Sequence, residues 1–167
     1  MQREISADEL DYLFHRIGTA IWHLQNVEGA IVPFIIVKGI AVELGSLNQS
    51  EADKIESEYN KMTLGRLIGK LSELSLVEPE LLDRLKLFNS ERKWIVHNSV
   101  RESVDHLYKE NGRNIFFNRV ESFINEAISL HHHIGDLLTE YVVSKGASID
   151  QINHVAHSKI KELKGEA

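Results

Sequence analysis

An arginine and a histidine lie five residues apart, at Arg92 and His97, in a segment whose apolar residues otherwise follow a helical spacing. Histidine gains and loses a proton near neutral pH, and the arginine guanidinium binds anionic oxygens through several donors. Together the two side chains could hold an anion and move a proton beside it. On an ideal helix they would stand about 140° apart and about 7.5 Å apart along the axis, so they would flank one face without stacking.

Arg92 occupies a position at which the helical pattern predicts an apolar side chain. The apolar stripe runs through Leu81, Leu85 and Phe88, and it resumes at Ile95 after the arginine. A buried guanidinium without a partner is costly. Arg92 therefore requires a partner, a wet cleft or a subunit interface.

Glu28 is the matching exception in the first predicted helix. It is the lone charge on the stripe formed by Ile17, Ile21, Leu24 and Ile31. We predict that Glu28 pairs with Arg92 across the bundle. The alternative is that the helices drift in phase and both side chains reach water.

The elements that position these residues are predicted to be helices. The 167 residues contain two prolines, and no segment alternates apolar and polar residues for long enough to indicate a sheet. The prediction is an all-α fold, an up-and-down bundle of about four long helices plus one or two short helices, with residues 1–167 forming a single domain.

Local signals set the expected helix boundaries. Predicted starts are the capping box of Ser6 and Glu9, the caps Ser50 and Thr63, Pro79 as a first helical residue, and a second capping box of Ser148 and Gln151. Predicted ends are near Gly45 (after a kink at Pro33), Tyr59, Val104 and Gly146. We expect a turn at Asn111-Gly112, a long helix over 114–144, and a last helix over about 148–163 that is peripheral or docks on a partner.

Composition excludes several classes of protein. Without cysteine there are no disulfides and no thiolate chemistry. The longest apolar run, residues 30–37, is far shorter than the roughly 20 residues of a membrane span, so we expect a cytoplasmic protein. The net charge of −6 is uneven: residues 61–101 carry 8 basic and 5 acidic side chains, a local excess of 8 − 5 = +3.

The segment Glu91-Arg92-Lys93-Trp94-Ile95-Val96-His97-Asn98 resembles the signature of the HEPN superfamily, an arginine followed after four to six residues by a histidine in a late helix of a helical bundle. Two other segments, residues 63–71 and 21–28, are similar to parts of some bacterial HEPN-like proteins. The resemblance covers roughly residues 8–105.

The resemblance implies RNA chemistry. Many HEPN proteins are homodimeric, metal-independent endoribonucleases of toxin–antitoxin, phage-defence or RNA-processing systems. Carried onto this chain, Arg92 and His97 would be the catalytic pair, acting on single-stranded RNA without a cofactor. Supporting roles would fall to Asn98, Lys93 and Glu28, and RNA contacts to Trp94, Arg101 and Arg66. An antitoxin or another protein partner would fit such a system.

Two features keep alternatives open. Active HEPN sequences often carry Asn, Asp or His directly after the arginine, whereas this chain has Lys93. The second interpretation is therefore a catalytically inactive HEPN module that binds RNA or a protein partner, and the third is an unrelated helical scaffold. For Trp94, a place in the core or in a dimer interface is the alternative to base stacking.

The histidine-rich stretches do not predict a metal site. Consecutive residues on a helix point about 100° apart, so His131, His132 and His133 cannot converge on one ion. His154 and His157 could share a face, but no carboxylate lies at a supporting spacing.

Overall fold

Helices account for nearly all of the residues that the computed structural model describes, which are 4–40 and 47–166. No strand occurs in those ranges, so the predicted all-α class is confirmed. The α-helices are α1 (Ala7–Ile35), α2 (Gln49–Tyr59), α3 (Leu64–Glu73), α4 (Pro79–Lys93), α5 (Ser99–Ser103), α6 (Glu110–Ser144) and α7 (Ile149–Lys164). Two π turns, Ile36–Ile40 and Trp94–Asn98, and a 3₁₀ turn, Val104–Tyr108, lie between them.

The first turn of α1 is fixed by the predicted capping box. The Ser6 N–H donates to the Glu9 carboxylate (2.9 Å), and the Glu9 N–H donates to the Ser6 hydroxyl. A carboxylate oxygen of Glu9 also lies 3.5 Å from Nε of Arg113, which is buried near the start of α6. One glutamate thus caps α1 and neutralises a buried arginine, which ties the beginnings of α1 and α6 together.

Helix α6 runs parallel to α1 along much of its length. The rings of Tyr12 and Phe117 meet edge to face at 5.6 Å, and the Arg16 guanidinium binds the Glu121 carboxylate through two hydrogen bonds. Later residues of α1 therefore meet later residues of α6. The inward stripe of α1, which includes Leu24, is buried against its neighbours.

Helix α4 packs antiparallel to α6. Phe88 stacks on Phe123 with ring centroids 4.5 Å apart, and Arg84, one turn earlier, binds Glu126, one turn later. A short connection joins α3 to α4, whereas the segment between α4 and α6 holds the second π turn, α5 and the 3₁₀ turn.

Residues 7–40 form a segment that is long and apolar enough to cross a membrane, judged by length and composition only. Side chains from four successive turns of this segment, among them Val27 and Ile31, are nevertheless buried within the bundle. Such burial is typical of the core helix of a bundle, which passes the same composition test.

Several predicted boundaries are confirmed and others are wrong. Pro79 begins α4, Ser148 and Gln151 form the capping box of α7, and Gly146 ends α6 with φ +99°. The cap of α2 is Asn48 rather than Ser50, because its side chain accepts from the Glu51 N–H and completes a capping box there. The predicted end near Gly45 lies outside the described residues.

The turn predicted at Asn111-Gly112 is also wrong, because both residues belong to the first turn of α6. The chain reverses earlier, in the 3₁₀ turn that ends at Tyr108. A Cβ on Gly112 would lie 2.5 Å from the carbonyl oxygen of His106 and 2.8 Å from its Cα. The glycine is thus required for close approach of two backbone segments.

Substituting Gly112→Ala should destabilise the fold by about 1–3 kcal/mol, since the methyl group would overlap the His106 backbone. Gly135→Ala, in the same helix, is the matched control: a Cβ there meets nothing within 4 Å, and alanine favours the helix by up to about 1 kcal/mol. Urea unfolding of the two variants would measure the difference. Equal stabilities would contradict the close approach.

Candidate functional site

Arg92 lies near the end of α4 with a half-buried side chain. Its Nε is buried, and no residue in the described ranges accepts a hydrogen bond from it. A buried, unsatisfied donor on a charged group is uncommon in a stable bundle. Arg92 thus has one donor that the described residues leave unpaired.

The predicted pairing of Glu28 with Arg92 does not take the form of an ion pair among the described residues, although the two charges lie near enough to interact. Burial raises the pKa of Glu28 above its ordinary value, and the neighbouring Arg92 charge and the Leu64 N–H partly offset that rise. Within the described residues the two side chains form no ion pair of 4.0 Å or less. The structure therefore brings the two charges together without direct contact.

The Leu64 N–H gives Glu28 a second role. Leu64 is the first residue of α3, and the N-cap residue Thr63 makes no side-chain capping bond. The first N–H groups of a helix need acceptors and favour negative charge. A glutamate of α1 supplies that charge to α3.

Asn89 completes this polar cluster, which we define as Glu28, Asn89, Arg92 and the backbone of Leu64 and Gly65. Asn89 precedes Arg92 by three residues, so the two side chains share a face of α4. The Nδ2 of Asn89 lies 3.3 Å from the position that a Cβ on Gly65 would occupy. The Oδ1 of Asn89 is buried and accepts no hydrogen bond within the described chain. Two under-satisfied polar atoms thus face one junction of α1, α3 and α4.

A π turn over Trp94–Asn98 follows directly, where a continuous α-helix was predicted. In an α-helix the Ser99 N–H would donate to Ile95, but here it donates to the Trp94 carbonyl. The Ser99 hydroxyl donates to the Ile95 carbonyl instead, at 2.8 Å. Because of the wide turn, the separation of Arg92 and His97 departs from that of an ideal helix.

The π turn leaves His97 exposed to solvent. The neighbouring Asn98 is half-buried, and its Oδ1 accepts a hydrogen bond of 2.9 Å from Arg101. Lys93 and Arg66 are also exposed. The site region therefore combines a half-buried arginine with an exposed histidine and exposed cations.

Trp94 belongs to the core, which favours the second of its two sequence-based interpretations. It is 6 % exposed and packs on Phe116, with ring centroids 5.5 Å apart. The guanidinium carbon of Arg119 lies 3.7 Å from the ring centroid, and Glu91 holds that guanidinium through bonds of 2.7 and 3.0 Å. Stacking of a base on this face would require Arg119 to leave.

Sequence reasoning missed Asn89 and the pairing of Arg119 with Glu91. A signal for Asn89 was present, because it precedes Arg92 by three residues and had to share its face. No signal within the sequence pairs Arg119 with Glu91, since they come from separate helices.

Two other polar regions are weaker candidates. A cavity of about 430 Å³ lies towards the beginning of α4, but its cations are already engaged: Lys38 binds the Leu76 carbonyl at 2.7 Å and Arg84 binds Glu126. The run His131–His133 is exposed, and no group of three potential metal ligands occurs in the described part of the chain.

Comparisons with known families, curated proteins and solved structures find no match for this chain. The HEPN resemblance therefore depends on the residues quoted above and on the all-α fold.

Glu28→Gln should remove the pH-dependent loss of stability that burial of the Glu28 carboxylate causes. A carboxyl whose pKa is raised by folding stabilises fully below its unfolded pKa, about 4.3, and that stability is lost as pH rises through the folded value. The free energy of unfolding of the variant, relative to that of wild type, should therefore increase from pH 4 to pH 7. Urea unfolding across this range is the measurement, with Glu58→Gln on exposed α2 as the charge control. A constant difference would show that burial of Glu28 carries no such penalty.

Ser99→Ala should destabilise the π turn by about 1–2 kcal/mol, because the Ile95 carbonyl loses a buried hydrogen bond. Thr139→Ala is the matched control: its hydroxyl makes the same bond to the Gly135 carbonyl at an exposed position of regular helix. Thermal unfolding should show the first substitution to be costly and the second neutral. Equal effects would indicate that the serine does not support the turn.

Proposed function

We propose that this chain is a metal-independent endoribonuclease of HEPN type that acts as a homodimer on single-stranded RNA. The observation that carries the proposal is the half-buried Arg92, whose Nε has no acceptor among the described residues and which lies two residues before the π turn that carries the exposed His97. The two residue types suit phosphoryl chemistry: an anion-binding fork and a proton carrier.

In the proposed reaction His97 removes the proton from a ribose 2′-OH. The 2′-oxygen bonds to the adjacent phosphorus, and the bond from phosphorus to the 5′-oxygen breaks. The departing 5′-oxygen takes a proton from the histidine of the second copy and leaves as a hydroxyl, while the other product ends in a 2′,3′-cyclic phosphate. Arg92 stabilises the charge that develops on the phosphoryl oxygens.

The local charge supports binding of a polyanion despite the net charge of −6. Exposed Lys93 and Arg101 flank the π turn, and Arg66 lies two residues after Leu64 in the first turn of α3. Cations near the site contribute most of the sequence-independent affinity for a phosphate backbone. Residues 61–101 hold all three, and they form the basic part of the chain.

The second candidate function is a catalytically inactive HEPN module that binds RNA or a protein partner. One observation favours it: the Asn98 side chain, which could otherwise orient His97 or a phosphate, is occupied by Arg101. Lys93 also stands where active members often carry Asn, Asp or His. A toxin–antitoxin or defence role is proposed only with the catalytic candidate.

The test is cleavage of a labelled single-stranded RNA panel in EDTA by wild type, Arg92→Ala and His97→Ala. Each substitution should lower the rate at least about 100-fold, since it removes a transition-state group or a general base. His132→Ala, another exposed histidine, should cleave like wild type. The products should carry 2′,3′-cyclic phosphate ends.

Unfolding temperatures of all four proteins would separate a lost activity from a lost fold. Absence of cleavage, or equal cleavage by every variant, would overturn the catalytic proposal and favour the binding module. Weaker RNA binding by Arg92→Ala in a filter assay would then identify RNA as the ligand of that module.

A further inference from the structure

A small pocket lies beside the candidate site, between the π turn, α5 and the beginning of α6. Its apolar walls are Trp94, Ile115 and Phe116, and its volume is about 140 Å³. Trp94 and Phe116 are buried, whereas Ile115 is 59 % exposed and therefore borders the mouth. An apolar cavity of about 150 Å³ accommodates one benzene molecule. The pocket thus has the size and the walls that suit a single six-membered ring.

Three polar side chains also line this pocket, and each has hydrogen-bonding capacity that the described chain leaves unused. The exposed Glu102 carboxylate forms no ion pair of 4.0 Å or less with a described residue. Ser103 is buried, and its hydroxyl makes no hydrogen bond within the ranges that the structure describes. In Arg119 the two bonds to Glu91 use Nε and Nη2, so Nη1 remains available.

Arg119 is held in place as a donor before any ligand arrives. Glu91 binds two of its nitrogens, and its guanidinium carbon lies 3.7 Å from the centroid of the Trp94 ring. A side chain that is already ordered loses little further entropy on binding. The ionised Glu102 carboxylate can only accept hydrogen bonds. The pocket therefore combines a fixed donor and an acceptor around an apolar slot.

The pocket adjoins the exposed His97. The π turn and α5 are consecutive in the chain, so Trp94 precedes His97 by three residues and Glu102 follows it by five. At the rise of an α-helix these separations are about 4.5 and 7.5 Å along the axis. A base in the pocket can therefore belong to a nucleotide that adjoins a phosphate held beside His97.

The charge around the pocket suits a base and not a phosphate. The Glu102 carboxylate repels a phosphate group, whereas the exposed cations Lys93 and Arg101 do not line the pocket. Phosphate contacts position a nucleic acid, and base contacts read its sequence. The pocket is thus suited to read a base of a strand whose backbone the cations outside it hold.

The size and the polar groups favour cytosine among the four bases of RNA. A volume of about 140 Å³ suits a pyrimidine, which has one ring, better than a purine, which has two. Cytosine carries an amino donor at N4 beside acceptors at N3 and O2, and carboxylates accept from that amino group. Glu102 would accept from N4, and Nη1 of Arg119 would donate to N3 or O2. Uracil would instead place its O4 acceptor against the Glu102 carboxylate.

We infer that this pocket binds an unpaired cytosine of the RNA, and that Glu102 and Arg119 determine its specificity. The inference rests on the proposed RNA function and deepens it, because it names the base that adjoins the cleaved phosphate. The Ser103 hydroxyl, which can donate or accept, completes the polar lining.

Binding of short single-stranded 2′-O-methyl RNAs tests the pocket separately from cleavage, because the methyl group blocks attack by the 2′-oxygen. Fluorescence anisotropy at constant ionic strength would measure the affinity of the full chain for oligocytidylate, oligouridylate and oligoadenylate. Wild type should bind oligocytidylate at least about fivefold more tightly than the other two, since a well-placed base contact discriminates by that much or more.

Glu102→Gln is the decisive variant. The glutamine amide can donate to O4 of uracil, so the ratio of oligocytidylate to oligouridylate affinity should fall to about one or below. Glu110→Gln is the matched control, because it removes the same charge from an exposed position outside the pocket and should leave this ratio unchanged. Arg92→Ala should weaken binding of all three RNAs without changing the ratio, because a phosphate contact carries no sequence information.

The possible results separate this inference from the ribonuclease proposal. Equal affinity of wild type for the three RNAs, a preference for another base, or an unchanged ratio in Glu102→Gln would overturn the inference and leave the proposal to its cleavage assay. A preference for oligocytidylate that Glu102→Gln abolishes, in a protein that cleaves no RNA, would support the pocket and overturn the catalytic proposal. A wild type that binds none of the three RNAs would overturn both.

Discussion

Desolvation of charge at the junction of α1, α3 and α4 is the constraint on which the site depends. An apolar residue at position 92 would pack there without penalty, as Leu85 and Phe88 do earlier on the same stripe. Arg92 requires a negative charge nearby, and Glu28 supplies it while also facing the first N–H of α3. Burial still raises the pKa of Glu28, because the Arg92 charge and the Leu64 N–H offset it only in part.

The polar cluster also has a geometric consequence. A regular α-helix beyond Lys93 would continue the apolar stripe of α4 at its usual spacing. The π turn has more residues per turn than an α-helix, and the consecutive residues Trp94 and Ile95 are both buried. Ser99 stabilises the π turn because its hydroxyl donates to the Ile95 carbonyl, which the Ser99 N–H would bond in a regular α-helix. Wide turns of this kind recur at functional sites, where a regular helix would present the wrong side chains. Here the turn begins two residues after Arg92 and contains the exposed His97.

The sequence predicted well those features that depend on local signals. Capping boxes, Pro79 and Gly146 each act within a few residues, so the ends that they mark were predictable. The interaction of Glu28 with Arg92 was predictable only in part: two charges interrupted two apolar stripes, but no ion pair forms between them in the described chain. The π turn was not, because no proline, glycine or side-chain cap marks it in the sequence. The Asn111-Gly112 turn failed for another reason: the glycine serves a tertiary contact with His106 rather than a local reversal.

The exposed start of α1 is acidic, whereas the stretch around the π turn is basic, although both lie level with the beginning of α6. The acidic start of α1 would repel a phosphate backbone. The basic stretch around the π turn would attract that backbone, and its apolar residues are largely committed to the core. An acidic protein can therefore bind RNA at one surface if its positive charge is concentrated at that surface.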